Sequence, residues 1–288
     1  MSKIKVAVIG AGGKMGTRTS NNLITKFADK FEVKLVETYP PAVKRIEEER
    51  HLQVTPVQKA LAFAEVVVFA VPDTLIKKLS AEYVPLLQPH TTFLILDPAA
   101  AVAKELTLRA DCTFAVAHPC HPSYFKWQKE KEAYADRFGG EGGHQDIVMS
   151  KIMGEDAQFA LAQETARCMY RADKAFVLTT EQIAFLEPTL VEVLGASTLY
   201  AMAETVKEGE RRGIPKEAAV SFLTGHIFNL TANFLGYLPE NPPVSDACKI
   251  AIDIGNRLVL RSNWQRIWED DTLKKVIATM LHPQQPQI

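Results

Sequence analysis

Apolar residues arrive in two rhythms along this chain of 288 residues. Val6-Ala7-Val8-Ile9, Val66-Val67-Val68-Phe69, Phe93-Leu94-Ile95-Leu96 and Phe114-Ala115-Val116-Ala117 are short unbroken runs without polar alternation. Such runs mark strands covered on both faces, as in a parallel sheet flanked by crossover helices. Phe31 to Glu37, Asp146 to Gly154 and Lys174 to Leu178 read as further strands, and Lys14 to Ala28 and Glu155 to Arg171 as helices. From about Thr179 the strand signals stop. Thr180 to Gly209 reads as one long helix, apolar around most of its circumference and rich in small residues (Gly195, Ala196, Ser197, Ala201, Ala203), so it is expected to be buried. Helices at Pro215 to Leu235, Ser245 to Arg261 and Asp271 to Leu281 follow, and the tail from His282 to Gln287 reads as frayed. The pattern predicts an α/β Rossmann-type domain over residues 1–178 and an all-α helical domain over residues 179–288.

The first run stops at four glycines in seven residues, Gly10-Ala11-Gly12-Gly13-Lys14-Met15-Gly16. Glycines between a strand and a helix let the backbone approach a pyrophosphate, and the helix N-terminus offers it N–H groups and partial positive charge. Read as G-x-G-x-x-G from Gly10, the motif has Met15 in the last glycine place; Gly10, Gly13 and Gly16 fit G-x-x-G-x-x-G instead. All seven residues are candidate dinucleotide-binding positions. Glu37 ends the second strand, 27 residues after Gly10, where a carboxylate takes the ribose hydroxyls of NAD and repels a 2′-phosphate. NAD is therefore expected over NADP, with Lys44 and Arg45 as the residues that favour NADP. Val71, Pro72 and Asp73 form the turn expected to overhang the cofactor.

Composition narrows the class. Hydrophobic residues make up 47% of the chain and charged residues 23%, with net charge −1, ordinary values for a globular enzyme and without the basic footprint of a nucleic-acid binder. No unbroken run of eighteen apolar residues occurs, so no membrane span is expected. The chain opens on a strand without a signal-like segment, and its four cysteines (Cys112, Cys120, Cys168, Cys248) are scattered; a cytoplasmic location with reduced thiols follows as the expectation.

The candidate chemistry lies at the carboxyl edge of the sheet and along the long helix. His118-Pro119-Cys120-His121-Pro122 follows a strand end, where ligands of open α/β sheets bind. Two histidines three residues apart, fixed by prolines, suit metal ligation or proton transfer, or a purely structural turn; Cys120 reads as packing. Residues 123–145, with Gly139, Gly140, Gly142 and Gly143, read as a loop insertion or lid. Glu187 precedes Pro188 inside the long helix. A carboxylate beside a proline kink in an apolar stretch needs a metal or a basic partner if buried. Glu192 is a weaker candidate of the same kind, and Glu181 reads as an N-terminal capping acid. His226 and Asn229 share one helix face, as core or as site residues, and Ser245-Asp246 reads as a helix N-cap.

The glycine loop, Glu37, the Phe69-Ala70-Val71-Pro72-Asp73 strand end and the change of texture near Thr179 resemble the 6-phosphogluconate-dehydrogenase-like superfamily. There a Rossmann domain precedes a helical domain that often interlocks in a dimer. Two departures stand out. Classical β-hydroxyacid dehydrogenases carry Ser-Gly-Gly where this chain has His118 to Pro122, and a catalytic helix lysine that is absent here before Lys207. Ketol-acid reductoisomerases of the same superfamily hold divalent metal with helix carboxylates. His118 to Pro122, Gln145-Asp146-Ile147-Val148 and Glu187-Pro188-Thr189 resemble a narrower bacterial group with a phosphogluconate-dehydrogenase-type C-terminal domain, which includes oxidoisomerases of branched sugar acids. That resemblance implies oxidation of a secondary alcohol by NAD, followed by an acyloin shift assisted by a divalent metal. His118, Glu187 and His121 are its catalytic candidates, His118, Glu187 and His226 its metal-ligand candidates, and a homodimer its assembly. The alternatives are a hydroxyacid dehydrogenase using NAD or NADP without rearrangement, and an NAD-binding sensor without turnover.

Overall fold

The computed structural model describes residues 2–238 and 244–286. It divides into two compact units, Met1–Ala184 with Lys274–Ile288, and Phe185–Leu273.

The first unit is built on a seven-stranded sheet in the order β2-β1-β3-β4-β5-β6-β7. The strands are β1 (Ile4–Ile9), β2 (Phe31–Val36), β3 (Val66–Phe69), β4 (Thr92–Ile95), β5 (Thr113–Pro119), β6 (Gln145–Met153) and β7 (Ala172–Val177). The helices are α1 (Lys14–Thr25), α2 (Pro40–Lys44), α3 (Val57–Phe63), α4 (Asp73–Tyr83), α5 (Ala99–Val102), α6 (Lys131–Ala135), α7 (Asp156–Tyr170) and α8 (Thr180–Ala184). The unbroken apolar runs are the central strands, and Val6, Ala7, Val8, Val66, Val67, Val68, Phe93 and Phe114 are wholly buried, as burial on both faces demands. Phe69, Phe93 and Phe114 line up across β3, β4 and β5 with ring centroids 4.8 and 5.6 Å apart. Strand order reverses at β1, which pairs with β2 on one side and β3 on the other. That switch point opens a crevice at the carboxyl ends of the strands.

The sheet is parallel from β2 to β5, but β6 runs antiparallel to β5. This pairing carries β5 two residues past its apolar run, so that His118 lies opposite Val148 and Pro119 opposite Ile147. The expected division at 178/179 differs from the compact units. Ile183 and Ala184 are fully buried, and the Thr180 and Ser150 hydroxyls lie 2.8 Å apart, so α8 stays with the sheet. The C-terminal end returns to it as well: Ile277 and Leu281 are buried, and His282 Nε2 lies 2.7 Å from Glu105 Oε1. The tail is thus held at its first residue, while Gln287 lies outside the described residues.

The second unit is helical. It begins with a π-helical segment, Phe185–Ala196, and continues through α9 (Ser197–Arg211), α10 (Lys216–Phe234) and α11 (Asp246–Leu258); α12 (Asp270–Leu281) starts in it. Pro188 lies inside the π segment; a proline has no N–H for the i→i−4 ladder, and a wider turn absorbs the loss. The continuous helix Thr180–Arg211 reaches a mean hydropathy of 1.2 in its most apolar window, of which 22% is buried. Two expectations change here. The helix is largely open in the single chain, with Leu190, Val191, Leu199 and Tyr200 exposed. It is also long and apolar enough, by length and composition alone, to cross a membrane, which a count of unbroken apolar residues misses because Glu187 and Glu192 interrupt the run.

Candidate active site

The glycine loop fills the crevice between β1 and α1. Gly10 has φ +76°, and a Cβ on it would overlap the Ala70 carbonyl oxygen; a Cβ on Gly16 would overlap that of Gly10. Gly12 approaches Ala42 closely, whereas Gly13 leaves 3.3 Å to its nearest neighbour. The sterically tight positions are therefore Gly10, Gly12 and Gly16. Gly13 instead caps α1 in an extended conformation. Thr17 makes the bond to the Gly13 carbonyl, so the N–H groups of Lys14, Met15 and Gly16 precede the helical ladder and point to the anion position.

Glu37 lies where the sequence places it. Its Oε2 accepts the Gly12 N–H at 3.1 Å, and its Oε1 accepts those of Thr38 and Tyr39 at 2.8 and 3.0 Å. The carboxylate, Gly10, Val71, Pro72, Leu75 and Tyr83 line a cavity of about 410 Å³, mostly apolar, with Glu37 and Arg45 as its charged residues, which suits the adenosine half of a dinucleotide. Asp73, the remaining candidate of that turn, is the first residue of α4. On the other side of the loop a cavity of about 600 Å³ is lined by Lys14, Arg18, Arg45 and Arg50, with Asp136 and Glu141 opposing them. Arg45 donates to the Gly12 carbonyl at 2.9 Å.

His118 closes the carboxyl end of β5, half-buried. Its Nδ1 lies 2.8 Å from the Leu96 carbonyl at the end of β4. A carbonyl only accepts, so Nδ1 carries a proton, and in the neutral form of the ring the basic nitrogen is Nε2. Cys120 is exposed, contrary to the expectation that it packs; its N–H donates to the Asp146 carbonyl at 2.9 Å. His121 is exposed and adopts φ +62°, a left-handed conformation uncommon for a residue with a Cβ and frequent at functional sites. Its ring lies 5.6 Å from that of Phe138.

The loop between β5 and β6 is a docked element of the first unit. Asp136 accepts five backbone N–H groups, from Gly139, Gly140, Glu141, Gly142 and Gly143, at 2.7 to 3.0 Å. Burial would raise its carboxyl, but the N–H groups of Gly142, Gly143, Glu141 and Gly139 outweigh burial and hold it at about 2. Arg18 of α1, 3% exposed, donates to the Gly139 carbonyl at 2.7 Å and to Gln145 Oε1 at 2.8 Å. Phe138 meets Lys14 Nζ at 4.4 Å and Arg18 Cζ at 4.3 Å from its ring centre. At the loop's far end, Asp173 lies 2.9 Å from both Lys126 Nζ and His144 Nδ1. Arg18, Asp136 and Phe138 are absent from the sequence-based candidates. The spacing Asp136-x-x-Gly-Gly-x-Gly-Gly is the signal that points to a backbone nest around a carboxylate.

In the helical unit Glu187 is half-buried and Glu192 exposed. Neither is the deeply buried acid the sequence argument needs. His226 is exposed; its Nδ1 donates to the Phe222 carbonyl at 2.8 Å, and its ring stacks on Phe222 at 4.1 Å. Among the described residues no three His, Cys, Asp or Glu side chains form a group able to hold a metal ion; of the metal-ligand candidates, His118 belongs to the first unit and Glu187 and His226 to the second.

A doubly wound sheet with a glycine loop at its switch point, an acid ending β2 and a histidine at the carboxyl edge defines a dinucleotide-dependent oxidoreductase. Residues 126–281 match the family of the phosphogluconate dehydrogenase (decarboxylating) C-terminal domain. The chain is 67% identical, over 289 aligned residues and the full length of both proteins, to D-apionate oxidoisomerase of Blautia hydrogenotrophica. It is 38% identical to the enzyme of that name from Cupriavidus necator, covering 96% of this chain and 98% of that one. A crystal structure described as a semialdehyde dehydrogenase NAD-binding protein from Cupriavidus necator, in complex with calcium and NAD, superposes with a TM-score of 0.90 at 38% identity, covering 97% of this chain and all of that one. The chain belongs to the phosphogluconate dehydrogenase C-terminal family and, within it, to the family of the D-apionate oxidoisomerases.

Proposed function

We propose that this chain oxidises D-apionate, a branched polyhydroxy acid, with NAD and then rearranges the product. The identity of 67% over the whole length to an enzyme of that name carries the reading. NAD is supported by the acid at the end of β2 and by the NAD complex of the Cupriavidus necator protein.

NAD, when bound, supplies the hydride acceptor. The substrate's secondary alcohol then loses its carbon-bound hydrogen as hydride and its hydroxyl proton to a base, leaving a ketone beside the carboxylate. His118 is the proposed base, because its Nδ1–H bond to Leu96 fixes Nε2 as the proton-accepting atom. In the second stage the neighbouring tertiary hydroxyl gives up its proton, one carbon substituent migrates to the ketone carbon, and the new alkoxide takes a proton. This stage moves no electrons out of the substrate. His121 and Glu187 are the proposed groups for its proton transfers. A divalent cation is supported by the calcium named with the Cupriavidus necator structure. The described residues of this chain form no three-ligand group, so no step is assigned to a metal, and His226 is kept only as a ligand candidate.

We further propose a homodimer in which a second copy covers the exposed apolar residues Leu190, Val191, Leu199 and Tyr200. A cytoplasmic location is supported by four free cysteines. Recovery of the chain in the membrane fraction, or as a monomer by light scattering, counts against this assembly. The activity is tested by incubating the protein with D-apionate and NAD, following NADH and identifying the product by NMR. A rearranged oxo acid is expected. An unrearranged 2-oxo acid reduces the protein to a simple dehydrogenase, and NAD binding without NADH formation makes it a sensor.

A further inference from the structure

His121 carries the least favourable backbone conformation in the edge loop, and something must hold it. Its φ of +62° places a residue with a Cβ where chain sterics disfavour it, and its side chain is exposed, so a tightly packed core does not enforce the geometry. The ring of Phe138 lies 5.6 Å from the imidazole at an interplanar angle of 47°. Phe138 is itself fixed to the cofactor helix by the cations Lys14 and Arg18, 4.4 and 4.3 Å from its ring centre. Its neighbour Gly139 is bonded through its carbonyl to Arg18 and through its N–H to Asp136. The backbone that carries Phe138 is therefore held by α1 on one side and by the carboxylate nest on the other. An aromatic side chain on such a mount is a rigid wall.

We propose that Phe138 is a positioning residue for His121, transmitting the fixed place of α1, and so of the cofactor, to the imidazole in the edge loop. The inference rests on the reading above in which His121 works in the reaction. Lys14 lies at the N-terminus of the helix that faces the pyrophosphate position, so the two ends of this relay are the cofactor loop and the histidine loop. Phe138 contacts both.

The test uses the full-length protein with F138L, F138Y, H121N and the double variant F138L/H121N. NADH affinity is read by fluorescence titration, folding by thermal melting, and kcat and KM for the sugar acid by NADH formation. F138L should lower kcat at least about tenfold, a modest share of what a positioned acid or base contributes, with NADH affinity within about twofold of wild type. F138Y, which keeps the ring, should restore most of the rate. In the H121N background F138L should add little further loss, since both variants remove the same function. Losses that multiply in the double variant, or an F138L variant as active as wild type, overturn the proposal. Equal weakening of NADH binding and rate overturns it too, by assigning Phe138 to the cofactor cavity. Wild-type activity in H121N is a separate failure, because it removes the catalytic reading of His121 itself.

Discussion

Arg18 Nε donates to the Gly139 carbonyl at 2.7 Å, joining residues 121 positions apart in the chain. The same guanidinium reaches Gln145 at 2.8 Å while its side chain is 3% exposed. Burial lowers its pKa, yet an arginine stays charged at any physiological pH. The bond therefore ties the helix that faces the cofactor's phosphates to the loop that follows the site histidines.

Removing that cation should be costly. R18M leaves the buried Gln145 Oε1 without its donor and the Gly139 carbonyl with only the longer 3.3 Å bond from Gln145 Nε2, and each unmet buried partner costs roughly 1–3 kcal/mol. A loss of roughly 2–4 kcal/mol is expected from the urea unfolding of the variant, with R18K intermediate because it cannot form the fork. A midpoint unchanged from wild type would mean that the loop is held elsewhere.

Glu37 should set the choice of cofactor. Its carboxylate sits at the edge of the adenosine cavity and is already oriented by three backbone N–H groups. E37Q keeps the shape but removes the charge, so KM for NAD should rise about tenfold, as expected for a lost charge-assisted bond. The ratio of NADP to NAD efficiency should also rise, aided by the neighbouring Arg45. Steady-state kinetics with both cofactors checks this; an unchanged ratio would remove Glu37 from the ribose.

The Asp136 nest predicts a pH signature. Its folded pKa, held at about 2 against an ordinary 3.8, is depressed, so its contribution to stability is fully present above pH ~4 and is lost as pH falls toward 2. D136N should therefore be less stable than wild type at pH 7, and the difference should shrink at pH 2.5. Paired urea titrations at the two pH values measure it. A gap that stays constant would show that the carboxylate charge contributes nothing.

Thiol chemistry should single out Cys120. It is exposed, while Cys112 and Cys168 are buried, and burial pushes the Cys168 thiol up to about 11 and raises that of Cys112. Only the thiolate reacts quickly. In a C248S background, which removes the half-exposed fourth thiol, an aromatic disulfide reagent at pH 8 should give a fast phase that is absent on adding C120S and leave Cys112 and Cys168 unlabelled until the protein is denatured. A fast phase that survives in C120S would place the reactive thiol elsewhere.

Much of this protein is legible from its sequence. Unbroken apolar runs gave the central strands β1, β3, β4 and β5, because burial on both faces leaves no polar position to alternate. The glycine loop and Glu37 gave the dinucleotide crevice, since those features are local to one β-α-β unit. The motifs His118 to Pro122, Gln145 to Val148 and Glu187 to Thr189 pointed to the oxidoisomerase family that the 67% identity establishes. What only the tertiary structure decided is long-range. The antiparallel direction of β6 and the return of Ile277 and Leu281 to the sheet leave no local pattern. The exposure of the long helix depends on what packs against it, which periodicity cannot count. The meeting of Arg18, Asp136 and Phe138 required chain segments more than a hundred residues apart to close on one another. Local preference fixes which residues can form a strand, a turn or a helix start, whereas the partners of a buried cation or of a strained histidine are chosen by packing.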